Sequence, residues 1–140
     1  MIDKAALLRF VVARDGAPFL HQGRGPVGFD CVGLVLAALE DQGVVVDAPR
    51  NYGRYPTGRV LLDTIEKAGL VHRVTSSELE AADVLLFTMS PELGPQHMAV
   101  YIGENQFMHA VSTSQFVRRG SLGHYWLDRL THTYRWNDVD

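Results

Sequence analysis

Residues 28–43 read GFDCVGLVLAALEDQG, and the fold is decided by what this stretch becomes. Asp30 is a good helix N-cap, because its carboxylate accepts hydrogen bonds from the first free backbone N–H groups of a helix. From Cys31 the chain runs through Val32, Leu34, Val35, Leu36, Ala37, Ala38 and Leu39, with no Gly or Pro after Gly33. Gly43 offers a left-handed stop. The spacing predicts an almost wholly apolar helix from Cys31 to about residue 42. The chain's one cysteine stands at its positive end.

Upstream, Leu7, Phe10, Val11 and Arg14 have the spacing of an amphipathic helix over about residues 4–14, and the Gly-rich loop HQGRGPVG leads into the Cys31 helix. Downstream, APRNYGRYPTG (48–58) is a long polar loop, and Thr57 can cap a third helix, GRVLLDTIEKAG, which Gly69 closes. The pattern then changes. DVLLFTM (83–89), HMAVYIG (97–103), QFMHAVS (106–112) and QFVRRG (115–120) are short runs of branched and aromatic residues, and LTHTYRW (130–136) alternates like a last strand. Helices first and an antiparallel sheet after them make an α+β fold, with the apolar helix packed on the sheet. With no repeat and no linker between halves, residues 1–140 read as a single domain.

The composition is that of an ordinary globular chain, 46% hydrophobic and 21% charged, with a net charge of -3. Lys and Arg are scattered, and Arg118-Arg119 is too small to form a patch, so no nucleic-acid partner is expected. One cysteine excludes an internal disulfide and the paired-cysteine zinc motifs. The start, MIDKAALLRFVVARDG, has no small-residue cleavage site and reads as helix, not as a signal peptide. No segment approaches the roughly 20 apolar residues that span a bilayer. The expectation is synthesis in the cytoplasm and no membrane insertion.

HMAVYIGENQFMHA (97–110) reads as a hairpin turning near Gly103-Glu104-Asn105, which brings the segments of His97 and His109 together. A loop of odd length puts both side chains on one face; a two-residue loop puts them on opposite faces. On one face, with the helix N-terminal thiol packed over them, they make a nucleophile, a base and an orienting group. The helix start is expected to lower the thiol pKa. His97 would take the proton and return it to a leaving amine, His109 would fix its tautomer, and the Cys31 N–H would face an oxyanion. A metal hydrolase built from His97, His109, His124 and His132 is the weaker reading, since no HExxH pair exists. No cofactor or metal is expected. Trp126 and Trp136 read as core or as a partner interface.

GAPF (16–19), LHQG (20–23) and GFDCVGLV (28–35), followed by QHMAVYIGENQFMHA (96–110), resemble the NlpC-type family of bacterial cell-wall cysteine peptidases. Its members carry a DCSGLV-like nucleophile motif and an HVGIYIGNGQFIHA-like hairpin on a stripped-down papain fold. AADVLLF (81–87) is similar to the family's PGDLVLF strand, with Asp83 in place and Ala82 where glycine is usual. The resemblance implies a minimal papain-like fold with Cys31 as nucleophile, His97 as general base and His109 as the third, polar member. Phe19 departs from it, standing where the family usually has a tyrosine whose hydroxyl faces the active site; His21 or Gln22 would then supply a donor. Val32 replaces the common serine. Asp30, Tyr52 and Arg54 complete the residues expected to contact substrate.

HQGR, with YGRYPTG further on, resembles one branch of the family, the small cell-wall peptidases encoded with phage tail and gene-transfer-agent genes. That resemblance implies hydrolysis of a peptidoglycan stem-peptide amide, after γ-D-glutamate and before the diamino acid. It also implies a place at a tail tip, with tail-tip or hub proteins as partners and the recipient's periplasm as the place of action. The rival expectation is a structural tail component of the same fold, catalytically weak or inactive.

Overall fold

The computed structural model describes residues 1–48, 58–137 and 139. Asp3 caps the first helix, α1 (Lys4–Ala13), by accepting from the Ala6 N–H at 3.0 Å, and Leu7 and Val11 are its buried face. Asp30 caps α2 (Cys31–Glu40) through the Gly33 N–H at 2.6 Å, and Gly43 turns the chain away at φ +81. Every residue of α2 from Cys31 to Leu39 is buried, as a helix apolar all round must be. It contacts α1 and the sheet. The Gln42 side chain ties the two helices by bonding both the N–H and the C=O of Asp3 at 2.9 Å. The third helix, α3 (Gly58–Lys67), is present, while its expected cap Thr57 lies outside the described residues.

Among the described residues six strands follow: β1 (Val71–Arg73), β2 (Val84–Phe87), β3 (His97–Gly103), β4 (Gln106–Val111), β5 (Phe116–Ser121) and β6 (Leu130–Trp136). They form one antiparallel sheet in the order β1-β6-β2-β3-β4-β5. Helices packed on this sheet are the α+β, papain-like arrangement read from the sequence. The sequence did not announce β1 or a one-turn helix, α4 (His124–Leu127). Among the described residues no helix is long and apolar enough to cross a membrane.

The sheet buries both faces. Val84, Leu86, Met98, Val100, Met108 and Tyr134 pack with the helices. Leu85, Phe87, Ala99 and Phe107 face the other way and are covered by Leu122, Trp126 and Leu130. At the start of β2, fully buried Asp83 holds Arg135 of β6 with two bonds, to Nε at 3.0 Å and Nη2 at 2.9 Å. Ala82 before it adopts φ +84. That left-handed backbone is the reason glycine suits this position; here the alanine is pinned by the Tyr101 carbonyl and by Trp136 Nε1–H, each at 2.8 Å.

The β3–β4 hairpin settles the parity question. Its turn has two residues, Glu104 and Asn105, at φ +51 and +64, with Gly103 opposite Gln106. Alone, that turn would put His97 and His109 on opposite faces. The register then shifts between Tyr101 and Gly103, so that Tyr101 faces Phe107 and Val100 faces Met108. One extra residue in β3, a bulge, restores the parity of an odd loop. Both histidines therefore project from the Phe87–Phe107 face.

Candidate active site

His97 opens β3 opposite Phe87, and its Nε2 lies 2.7 Å from His109 Nδ1. Aromatic rings fix this pair. Trp126 of α4 covers both, 5.7 Å from the His97 ring and 5.3 Å from that of His109, and Phe107 meets His109 edge-on at 4.7 Å. Gly120 on β5 makes room: a Cβ there would lie 2.7 Å from the Phe107 ring and 3.2 Å from His109 Nε2. Burial pushes His97 down to about 4, and burial together with the neighbouring His97 pushes His109 down to about 3. Both imidazoles are neutral at pH 7.

Cys31 shares a cavity of about 540 Å³ with His97, walled also by Phe19, Asp30, Gln96 and Trp126. The cavity lies at the end of the sheet where β3 starts. The expectation that the thiol is packed over the face bearing the histidines is corrected here. The body of α2 lies on the Met98–Val100 face, and only its N-terminus reaches round the strand end. The backbone N–H groups of Met98, Val32 and Cys31 act to lower the thiol's pKa. The sulfur and the His97 ring share the cavity without a hydrogen bond between them, a looseness common before substrate closes a site.

A second correction concerns the thiol's acidity. Three N–H donors and the helix N-terminus favour thiolate, as the sequence suggests. Burial outweighs them, and the Asp30 carboxylate adds to it, so the thiol is pushed up to about 12. The resting site holds a neutral thiol beside a neutral imidazole. Such a site must ionise by transferring the thiol proton during attack.

The remaining residues singled out in the sequence divide. Phe19 lines the cavity, held between the Phe29 segment and the Gln115 carbonyl. His21 and Gln22 are not among the cavity's lining residues. Asp30 lines it, with its two oxygens on the Gly33 N–H at 2.6 Å and the Gln22 N–H at 3.1 Å. A carboxylate accepts and cannot donate to an oxyanion, so Asp30 acts as the joint between loop and helix. Tyr52 and Arg54 lie outside the described residues. His124 is exposed beside Asp128 at 3.1 Å, and His132 bonds Thr131; neither approaches the histidine pair, and among the described residues no group of three or more potential ligands could hold a metal ion. Trp136 is core. Sequence reasoning missed Gln96 and the place of Trp126 over the histidines. A four-residue helix has no periodicity to read, and a polar loop residue carries no signal.

Comparison with known proteins agrees with this geometry. The model of the NlpC/P60 family matches residues 16–135. The chain belongs to the NlpC/P60 family. It is 30% identical over 112 residues to the probable endopeptidase NlpC of Escherichia coli, covering 79% of this chain and 64% of that protein. It is 28% identical to the murein DD-endopeptidase MepS/murein LD-carboxypeptidase of the same species, covering 86% of this chain and 56% of that one. The chain thus spans less than two thirds of these relatives. Among solved structures, the NlpC/p60 domain of the peptidoglycan hydrolase SagA superposes with a TM-score of 0.68 at 25% identity, over 96% of this chain and 99% of that one. An NLP/P60 family protein of Staphylococcus aureus gives 0.69 at 24% identity, over 94% and 40%.

Proposed function

We propose that this NlpC/P60 chain is a cysteine peptidase that cuts an amide bond in peptidoglycan stem peptides, with Cys31 as nucleophile, His97 as base and His109 as orienting group. The observation that carries this reading is the 2.7 Å His97–His109 bond in the wall of a cavity that also holds the chain's one thiol. The names of the relatives, a murein endopeptidase and a peptidoglycan hydrolase, supply the substrate class.

The His97–His109 contact supports one proton path. With Nε2–H of His97 donated to His109 Nδ1, the His97 Nδ1 lone pair is left for the thiol, and His109 carries its own proton on Nε2. Sγ attacks the carbonyl carbon while its proton passes to His97 Nδ1. The oxyanion forms beside the helix N-terminus, where the Cys31 N–H can donate. His97 then protonates the leaving nitrogen, the C–N bond breaks and a thioester remains. Water attacks the thioester with His97 as base, releasing the acid and restoring the thiol.

The finer reading keeps the bond between γ-D-glutamate and the diamino acid, and a place at a phage or gene-transfer-agent tail tip acting in the recipient's periplasm. It rests on the HQGR and YGRYPTG segments. Phe19 in the cavity wall and the high thiol pKa favour a slow enzyme, and at the limit the inactive structural component. Digestion of purified peptidoglycan of known stem composition, with mass analysis of the soluble fragments, tests all of this. The proposal expects fragments with a new amine on the diamino acid; intact peptidoglycan after long incubation would favour the structural reading.

A further inference from the structure

Phe19 gives the cavity wall no hydrogen-bond donor, and neither His21 nor Gln22 lines it. Gln96, which immediately precedes His97, does. Its Oε1 accepts from the backbone N–H groups of Met89 at 2.8 Å and Ser90 at 2.9 Å. Two N–H donors on one atom fix the amide orientation, because an amide nitrogen has no lone pair to offer them. The NH₂ group is thereby turned away from residues 89–90, and among the described residues it has no hydrogen-bond partner. The backbone N–H of Gln96 bonds the Phe87 carbonyl at 3.0 Å, which ties the side chain's origin to the end of β2. Gln96 thus enters the cavity from the loop before β3, beside Met89, Cys31 and His97.

From this arrangement we infer that Gln96 Nε2–H is a donor to the scissile carbonyl oxygen as it becomes an oxyanion. The inference rests on the peptidase reading above. It assigns the amide two tasks: the oxygen holds the Met89–Ser90 backbone at the cavity rim, and the nitrogen meets the substrate.

Gln96→Glu separates these tasks, since a carboxylate keeps the acceptor for both N–H groups and loses the donor. Gln96→Ala removes the donor without adding a charge. Two rates are measured on each variant: hydrolysis of a stem-peptide substrate, and alkylation of Cys31 by iodoacetamide, which forms no oxyanion. The expected result is a fall in kcat of roughly 10²–10³-fold with alkylation within about twofold of wild type in Gln96→Ala. Unchanged hydrolysis in both variants, or hydrolysis and alkylation falling together in both, overturns the inference. A wild type that hydrolyses nothing overturns the peptidase reading and this inference with it, whereas an active wild type with unaffected variants overturns this inference alone.

Discussion

Gly33, three residues into the nucleophile helix's cap-and-turn, explains why the motif DCVG contains a glycine. A Cβ at Gly33 would lie 1.7 Å from the Gly23 carbonyl oxygen and 2.9 Å from Asp30 Oδ1. The Gly23 oxygen cannot retreat freely, because it accepts the Asp30 N–H at 3.0 Å. Gly33→Ala must therefore push the 19–24 loop and the first turn of α2 apart by at least about 1 Å, a backbone shift of the kind that overpacking forces at about 1–3 kcal/mol. The shift also breaks the Gly23–Asp30 hydrogen bond, at about 1 kcal/mol, and strains the Asp30 cap, worth about 1 kcal/mol. Together these predict a loss of roughly 4 kcal/mol, a large part of a typical stability of about 5–15 kcal/mol. Because Cys31 rides on the displaced turn, hydrolysis should fall by about 10²-fold even in the folded fraction. Urea unfolding and peptidoglycan hydrolysis under folding conditions measure the two effects. A variant within about 1 kcal/mol of wild type, with full activity, refutes the close approach as the reason for this glycine.

Three further outcomes follow from the site and its supports. His97 and His109 titrate lower in the folded chain, to about 4 and about 3, than a free imidazole. Their contribution is complete above the unfolded pKa near 6.5 and is lost as pH falls toward 4, by roughly 3 kcal/mol for His97 alone. Unfolding midpoints at pH 7, 5 and 4 should drop accordingly, less so in His97→Gln; an acid response unchanged by that substitution contradicts the neutral pair. Asp83→Asn takes the buried carboxylate from Arg135, which Glu80 still holds at 2.9 Å, and should cost about 2 kcal/mol by denaturant unfolding, whereas a loss below about 0.5 kcal/mol would show the pair to be inert. With Gln96 as the oxyanion donor, Phe19→Tyr should change kcat/KM by less than about threefold; a gain near 10² would reveal an empty donor position and count against Gln96.

The nucleophile helix was legible because its signals are local: Asp30 to start, an apolar run without breaks, Gly43 to stop. The strand pattern was legible for the same reason, since alternation and branched residues mark β2 to β6 without knowledge of their neighbours. What the sequence hid depends on contacts between segments. The hairpin's parity rests on a bulge near Ile102 that no residue type announces, although Glu104-Asn105 marks the turn. The side of the sheet on which α2 lies is decided by packing between segments. The thiol's acidity went the other way from the motif's promise because Cys31 is only 7% exposed, and burial is a property of the whole fold. Trp126 and Gln96 reach the site from α4 and from the loop before β3, two short segments whose sequences carry no periodic signal.

The central claim, that Cys31 forms a covalent acyl intermediate while His97 carries its proton, is tested most directly by acid-quenching the wild-type protein during turnover of a stem-peptide substrate and weighing it intact. The account predicts an added mass equal to the acyl fragment, mapped to Cys31, and neither adduct nor product in Cys31→Ala. Product formation by Cys31→Ala at a rate near that of wild type, with no adduct on either protein, would contradict it.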